Sequence, residues 1–371
     1  MKKVIVSVLV SVIILAGCQI APNTNVIDEL AIVLALGVDK DEDDPSVTVI
    51  TTSNPTFSQA AETDNKVTVV KGYGVRGAFK NWQYQRQKEL ALGKVGVVVF
   101  GSNQIEAGLA TIIPDLRQTP DMNVTAKVIY YDGEPSELLQ LTPAEEARKS
   151  IFLNNLIEQA ELMNITMPIN LCELGGRILT TGKDGFLPYV EKTEAGSAKI
   201  AGLALLDETG SLATIINDSE TLLLSLLMKY QDYTTISTKI PEIADIIVFQ
   251  VKGTKNRYYV EIKNGKPVIE IRSEIVIEIS EVSQRDVEIM EEEFFEDVKK
   301  HLSADLTKTT TELVQKFQKY NTDPIGLGEI VRVRENDYYK KGTWRDDYPN
   351  IDIRSNVNVK VIRGNVFRKN L

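Results

Sequence analysis

Histidine occurs once in these 371 residues, at His301, and cysteine twice, at Cys18 and Cys172. One imidazole leaves few parts for triads that use histidine as base, and zinc sites built from several His and Cys lack their ligands. Two distant cysteines make no disulfide framework, and Cys172, in the apolar context LCEL, is expected to be a buried, inert thiol. His301, in KKHLSADL, reads as a solvated or edge-packed imidazole on a long helix. Positive charge is also in deficit: 42 Lys and Arg stand against 52 Asp and Glu, a formal net charge of −10. That balance repels nucleic acid and anionic headgroups from the bulk surface, so no nucleic-acid partner is expected. Carboxylates are plentiful, but no spacing singles out a catalytic pair, and neither a cofactor nor a metal site is expected.

The chain opens MKKVIVSVLVSVIILAGC. Lys2 and Lys3 form a positive n-region, Val4 to Ala16 an apolar stretch of about thirteen residues, and Leu15-Ala16-Gly17-Cys18 a lipobox. The run is shorter than the roughly twenty residues of a spanning helix. Cleavage after Gly17 would leave Cys18 as the site of lipid attachment, and several acyl chains on one residue keep a protein on its bilayer. Residues 1–18 are therefore expected to be a lipoprotein signal peptide, with the mature chain facing away from the cytoplasm.

Two motifs invite a different reading and fail on inspection. Gly72, Gly74 and Gly77 in VTVVKGYGVRGAFKNW spell the dinucleotide fingerprint G-x-G-x-x-G. The next strand, KVGVVVFGS, ends without the acidic residue that would hold a ribose hydroxyl, and nicotinamide cofactors are not supplied outside the cytoplasm. A plain turn into a helix is the expected structure. DKDEDDP at 39–45 alternates acids as a calcium loop does, but its sixth position is Asp44 and its twelfth Ile50, so a charged hairpin turn is expected.

The pattern predicts an α+β, multi-domain chain with mixed sheets and packed helices. In 19–140, LAIVLALGVDK and SVTVITTS read as strands, GAFKNWQYQRQKELAL as an amphipathic helix, KVGVVVFG as a buried strand, QIEAGLATIIPDLRQ as helical and NVTAKVIYYDG as a strand. In 141–230 a small middle module is expected: a helix from Pro143 after Thr142, a loop-like LTTGKDGFLPYVEK, a hairpin turning at Glu208-Thr209-Gly210, and the helix ETLLLSLLMK. In 231–371, an antiparallel-rich sheet covered by one long helix is expected. Asn264-Gly265 is a two-residue hairpin signal, and Ile269, Ile271, Ile275, Ile277 and Ile279 share one strand face. Met290, Phe294, Val298, Leu302, Leu306, Leu313 and Phe317 form a helical stripe between about Ser283 and Tyr320. The last strand alternates through Ile351, Ile353, Val357, Val359 and Val361 and is expected to complete the same sheet.

Together the lipobox, IDELAIVLALGVDK, the glycine-led A-F start of the first helix, DPIGLGEIVR, and WRDDYPNIDIRSNVNVKVIRGNV resemble the Ger(x)C family over nearly the whole chain. Its members are the C subunits of nutrient germinant receptors in endospore-forming bacteria. The resemblance implies a non-catalytic lipoprotein at the outer surface of the spore inner membrane, beside integral membrane subunits of A and B type. Lys94 stands where the family commonly has histidine, so no role of that imidazole carries over. In DPIGLGE, Pro324, Gly326 and Gly328 would make a rigid turn that holds Asp323 and Glu329 at a fixed surface. Trp344 and Tyr348 read as a packing cluster at the sheet edge, with an exposed aromatic anchor as the other reading. Asp323, Gly326, Gly328, Glu329, Trp344 and Tyr348 are thus the candidate partner interface. The alternative function is a tethered extracytoplasmic solute-binding lipoprotein that captures the nutrient itself; such proteins have two similar lobes, whereas these thirds differ in pattern.

Overall fold

A run in which every side chain is apolar belongs where both faces of a strand are covered. Val97–Phe100 is such a run, buried at every position, and it lies in the middle of an eight-stranded sheet in the computed structural model. The structure describes residues 30–55, 65–141, 149–194, 196–230, 234–240, 244–283 and 292–362. Cys18, Met290, and the expected helix start at Thr142-Pro143 lie outside the described residues.

The strands of this sheet are β2 (Ala35–Lys40), β3 (Val47–Pro55), β4 (Asn65–Tyr73), β6 (Val97–Phe100), β7 (Lys127–Tyr131), β8 (Phe186–Lys192), β9 (Ala198–Leu206) and β10 (Leu212–Ile216). Their order is β10-β9-β8-β7-β6-β2-β3-β4. The four central strands β2, β6, β7 and β8 run parallel, and the flanking pairs are antiparallel. Alternate residues feed two cores. Leu36, Val38, Val98, Phe100, Val128 and Tyr130 meet α1 (Gly74–Tyr84), α2 (Ser102–Glu106) and α3 (Ile112–Arg117). Ala35, Val97, Val99, Ile129 and Tyr131 meet α4 (Pro135–Gln140) and α5 (Lys149–Leu162).

The sheet does not break at residue 140. Tyr130 and Tyr131 of β7 pair with Tyr189 and Val190 of β8, so the expected N-terminal domain and middle module share one sheet. FLPYVEK, expected to be loop-like, is β8; Pro188 interrupts its pattern, but Pro188 sits opposite Leu203 in a strand between two others. LAIVLALGVDK divides at Val33–Leu34 into β1 (Leu30–Ile32), which pairs with β5 (Glu89–Ala91) in a separate two-stranded sheet, and β2. QIEAGLATIIPDLRQ divides into α2 and α3 at Gly108, whose φ of +82° no helix accommodates. Cys172 is exposed, not buried: it lies in the first turn of α6 (Leu171–Ile178), and it is Leu171 and Leu174 that face the core.

The second sheet has the order β11-β12-β13-β14, from Thr234–Ile240, Ala244–Lys263, Lys266–Ser283 and Asp352–Ile362. The β12–β13 hairpin turns on Asn264 and Gly265, at φ of +53° and +79°, as the dipeptide predicts. All five isoleucines of the β13 face are buried. After α7 (Asp218–Met228), the long helix α8 (Glu292–Lys319) lies on that face through Phe294, Val298 and Leu302, whereas its Leu313 and Phe317 reach the core of the large sheet. One apolar stripe therefore serves two cores. Strand β14 runs parallel to β13, and α8 also closes its free edge: Thr307 and Ser303, four residues apart, accept the amides of Val357 and Val359 at 2.9 and 3.0 Å.

Candidate functional site

The chain leaving α8 passes through Thr322 and Asp323, both wholly buried, before α9 (Leu327–Arg334) begins. Gly326, at φ +85°, is the N-cap of α9 and has no side chain to satisfy the first amides. Asp323 does so from three residues upstream. Its Oδ1 accepts the amides of Gly326 and Leu327 at 2.8 and 2.9 Å, and its Oδ2 that of Gly328 at 2.7 Å. A carboxylate at a helix N-terminus is favourable, yet removal from water pushes this one up to about 6, against the pull of the three amides.

Asp184 meets Asp323 from the loop between α6 and β8. The Asp184 amide donates to the Asp323 carbonyl at 2.9 Å, and the Asp323 amide donates to Asp184 Oδ2 at 2.6 Å. Asp184, with its side chain fully buried, is held in turn by Arg345, whose Nη1 donates to Oδ2 at 2.8 Å and whose Nη2 donates to Oδ1. Arg345 belongs to α11 (Trp344–Asp347), which follows α10 (Asn336–Tyr339), and its Nε also lies 3.2 Å from Glu208. Burial works against the Arg345 cation, but its bond to Asp184 and the surrounding carboxylates hold the guanidinium above its ordinary pKa.

Arg177 of α6 fastens the same loop from behind: its Nε donates to the Asp184 carbonyl at 2.9 Å, its Nη2 to the Pro324 carbonyl, and its guanidinium lies 4.8 Å from the Phe186 ring centre. Gly182, at φ +90°, accepts the Glu329 amide at 2.8 Å, and the Cα atoms of Gly182 and Gly328 are so close that a Cβ on Gly328 would stand 2.8 Å from Gly182 Cα and inside the Trp344 indole. Tyr348 donates to the Thr322 carbonyl at 3.1 Å, Thr322 to the Leu206 carbonyl at 2.6 Å, and Gln318 to the carbonyls of Tyr348 and Ile351.

These contacts join the rim of the large sheet to the end of the long helix and to the aromatic turn before β14. Asp323, Gly328, Trp344 and Tyr348 are therefore interior, and the reading of Asp323 as held at a surface is corrected: its oxygens are used up on α9. Trp344 and Tyr348 pack together with ring centres 5.2 Å apart. Glu329 alone among the charged candidates reaches solvent, 3.1 Å from Lys183. Asp184, Arg345, Arg177 and Gly182 were not singled out by sequence; the glycines flanking Asp184 in TTGKDG are the only local signal they carry. Beside the joint lies a half-open cleft of about 370 Å³, lined in part by Thr180, Thr181, Lys183, Glu208, Tyr339 and Arg345. Among the described residues no group of three His, Cys, Asp or Glu is placed to hold a metal ion.

A mixed large sheet and a helix-covered small sheet that meet at a buried ionic joint define an α+β protein. Two family models match this chain: "Spore germination protein N-terminal domain" over residues 23–192 and "Spore germination B3/GerAC like, C-terminal" over 201–365. The chain belongs to this Ger(x)C family of spore germination proteins. The C-terminal match begins inside the large sheet, so most of β9 and all of β10 belong to it by sequence and to the first sheet by pairing. Spore germination protein GerQC of Bacillus cereus is 21% identical over 99% of both chains. Spore germination protein KC of Bacillus subtilis is 22% identical over 92% of this chain and 90% of its own. The crystal structure of the GerBC protein shares the fold, with a TM-score of 0.59 at 17% identity, covering 88% of this chain and 96% of that one.

Proposed function

We propose that this chain is a lipid-anchored, non-catalytic C subunit of a nutrient germinant receptor. It is held at the outer surface of the spore inner membrane through Cys18 and docks on two integral membrane subunits of A and B type. The observation that carries this reading is the pair of family matches spanning 23–192 and 201–365, downstream of a lipobox ending at Cys18. Among the described residues no helix is long and apolar enough to cross a membrane. The anchor is assigned to Cys18 from the lipobox it closes. The buried joint at Asp323 supports a scaffold role. It spends its charges on the protein itself and leaves none of the paired, accessible acid and base that a hydrolytic site needs. Docking then falls to exposed surface, and the joint sets the angle between the two sheets that present it.

The test is Cys18→Ala in the sporulating host. The variant is expected to leave the membrane fraction and to lose most of the nutrient-triggered germination that depends on this receptor. A variant that stays membrane-bound and germinates at the wild-type rate refutes the anchoring.

A further inference from the structure

Residues 65–88 contain six Lys and Arg and no Asp or Glu, in a chain whose net charge is −10. This stretch forms β4, α1 and the turn toward β5. Helix α1 buries Val75, Ala78 and Trp82 against the sheet. Its opposite side carries Arg76 and Lys80, both exposed, and Tyr84, which is 74% exposed; Tyr73, 76% exposed, ends β4 just before the helix. Lys80 lies 5.5 Å from the Tyr84 ring centre, and Lys88 follows in the exposed turn. Arg86 donates to Thr68 at 3.0 Å, which brings the Lys66 end of β4 alongside the end of the helix. Lys66, Arg76, Lys80 and Lys88 make no ion pair among the described residues.

We propose that the C-terminal end of α1, with Lys66, Lys80, Tyr84 and Lys88, rests on anionic phosphodiester headgroups of the bilayer that holds the anchor. The proposal rests on acylation of Cys18. Two independent facts favour a lipid surface. The first is position: β5 starts at Glu89, directly after Lys88, and pairs with β1 at Leu30, where the chain from Cys18 enters the described fold. Twelve residues from Cys18 to Leu30 reach at most about 40 Å, so this corner of the molecule is the one kept near the membrane. The second is chemistry: exposed basic side chains interleaved with tyrosine suit the headgroup region, and an acyl anchor reinforced by a basic patch holds better than either alone. The overall negative charge does not cancel the patch. The acidic hairpin that reaches Lys71 through Asp41 lies at the other end of α1, about 16 Å away for eleven residues, beyond the screening length of about 8 Å in physiological salt. At the proposed end, exposed Glu89 directly follows Lys88 and stands against Lys66, Lys80 and Lys88. The balance there is basic, and the bulk-charge argument against anionic surfaces does not govern this face.

The test uses the full acylated chain reconstituted on vesicles of phosphatidylcholine, with or without phosphatidylglycerol at about a third of the lipid. Lysines are labelled with an amine-reactive reagent and read by mass spectrometry. Lys80 and Lys88 are expected to label about fivefold more slowly on the anionic vesicles, with the difference lost in high salt. Lys308, on the solvent side of α8, is expected to label alike on both. In Lys80→Glu/Lys88→Glu, the protection of Lys66 should vanish while the protein still floats with both vesicles. Protein that floats with both vesicles but labels identically overturns the patch and leaves the anchor standing, as an acidic protein partner would require. Protein that binds only the anionic vesicles, reversibly with salt, supports the patch and overturns the anchor; protein that floats with neither overturns both.

Discussion

Replacing Arg345 with leucine would leave Asp184 charged, fully buried and without its cation, a few ångströms from the equally buried Asp323. Two unit charges about 4 Å apart at an effective dielectric of about 20 interact by roughly 4 kcal/mol. Removal of one member of a buried pair costs about 3–5 kcal/mol, because the other keeps its desolvation penalty. The expected loss for Arg345→Leu is therefore about 4 kcal/mol. With a urea slope of about 3 kcal/mol/M, that lowers the unfolding midpoint by more than about 1 M. The control is Arg354→Leu: Arg354 also grips an aspartate with two nitrogens, Asp352, but there the side chains are 69% and 44% exposed. Solvent screens that pair, and its removal should not move the midpoint measurably. Adding Asp184→Asn to Arg345→Leu removes the stranded charge and should recover part of the loss, so the two substitutions are not additive. Equal midpoints for Arg345→Leu and Arg354→Leu would show that the joint contributes no more than a surface pair, and the scaffold argument would fail.

Gly328→Ala places a methyl group against the Trp344 indole and 2.8 Å from Gly182 Cα, where backbone blocks any retreat; it should cost about 1–3 kcal/mol, whereas Gly176→Ala, with open space around it, should cost little. The Asp323 carboxyl gives a pH signature. Its folded pKa is raised to about 6, so the native state binds this proton more tightly than the unfolded chain, and stability from this group grows as pH falls from about 6 toward 4. A shift of about two pKa units corresponds to about 3 kcal/mol. Asp323→Asn lacks that gain, so its deficit relative to wild type should widen from pH 7 to pH 4.5 in denaturation experiments; a constant difference contradicts the assigned pKa.

Where neighbouring residues decide a structure, the sequence was sufficient. Asn264-Gly265 sets its hairpin because both residues tolerate positive φ, the β13 isoleucines alternate because one face is dry, and the α8 stripe recurs at helical spacing. What required the fold was anything joining distant segments. Asp184 meets Asp323 across 139 positions and Arg345 across 161, and no periodicity marks a charged residue that will be buried against another. FLPYVEK became a strand because β7 and β9 were there to pair with it, overriding the proline in its middle. Asp323 illustrates the division: DPIGLG announced a turn after a long helix, and the three amides its carboxylate takes lie within five residues, but its burial depended on the arrival of Asp184 from a distant loop. Local conformational preferences lie along the chain; desolvation depends on what else arrives, and only the tertiary structure decides that.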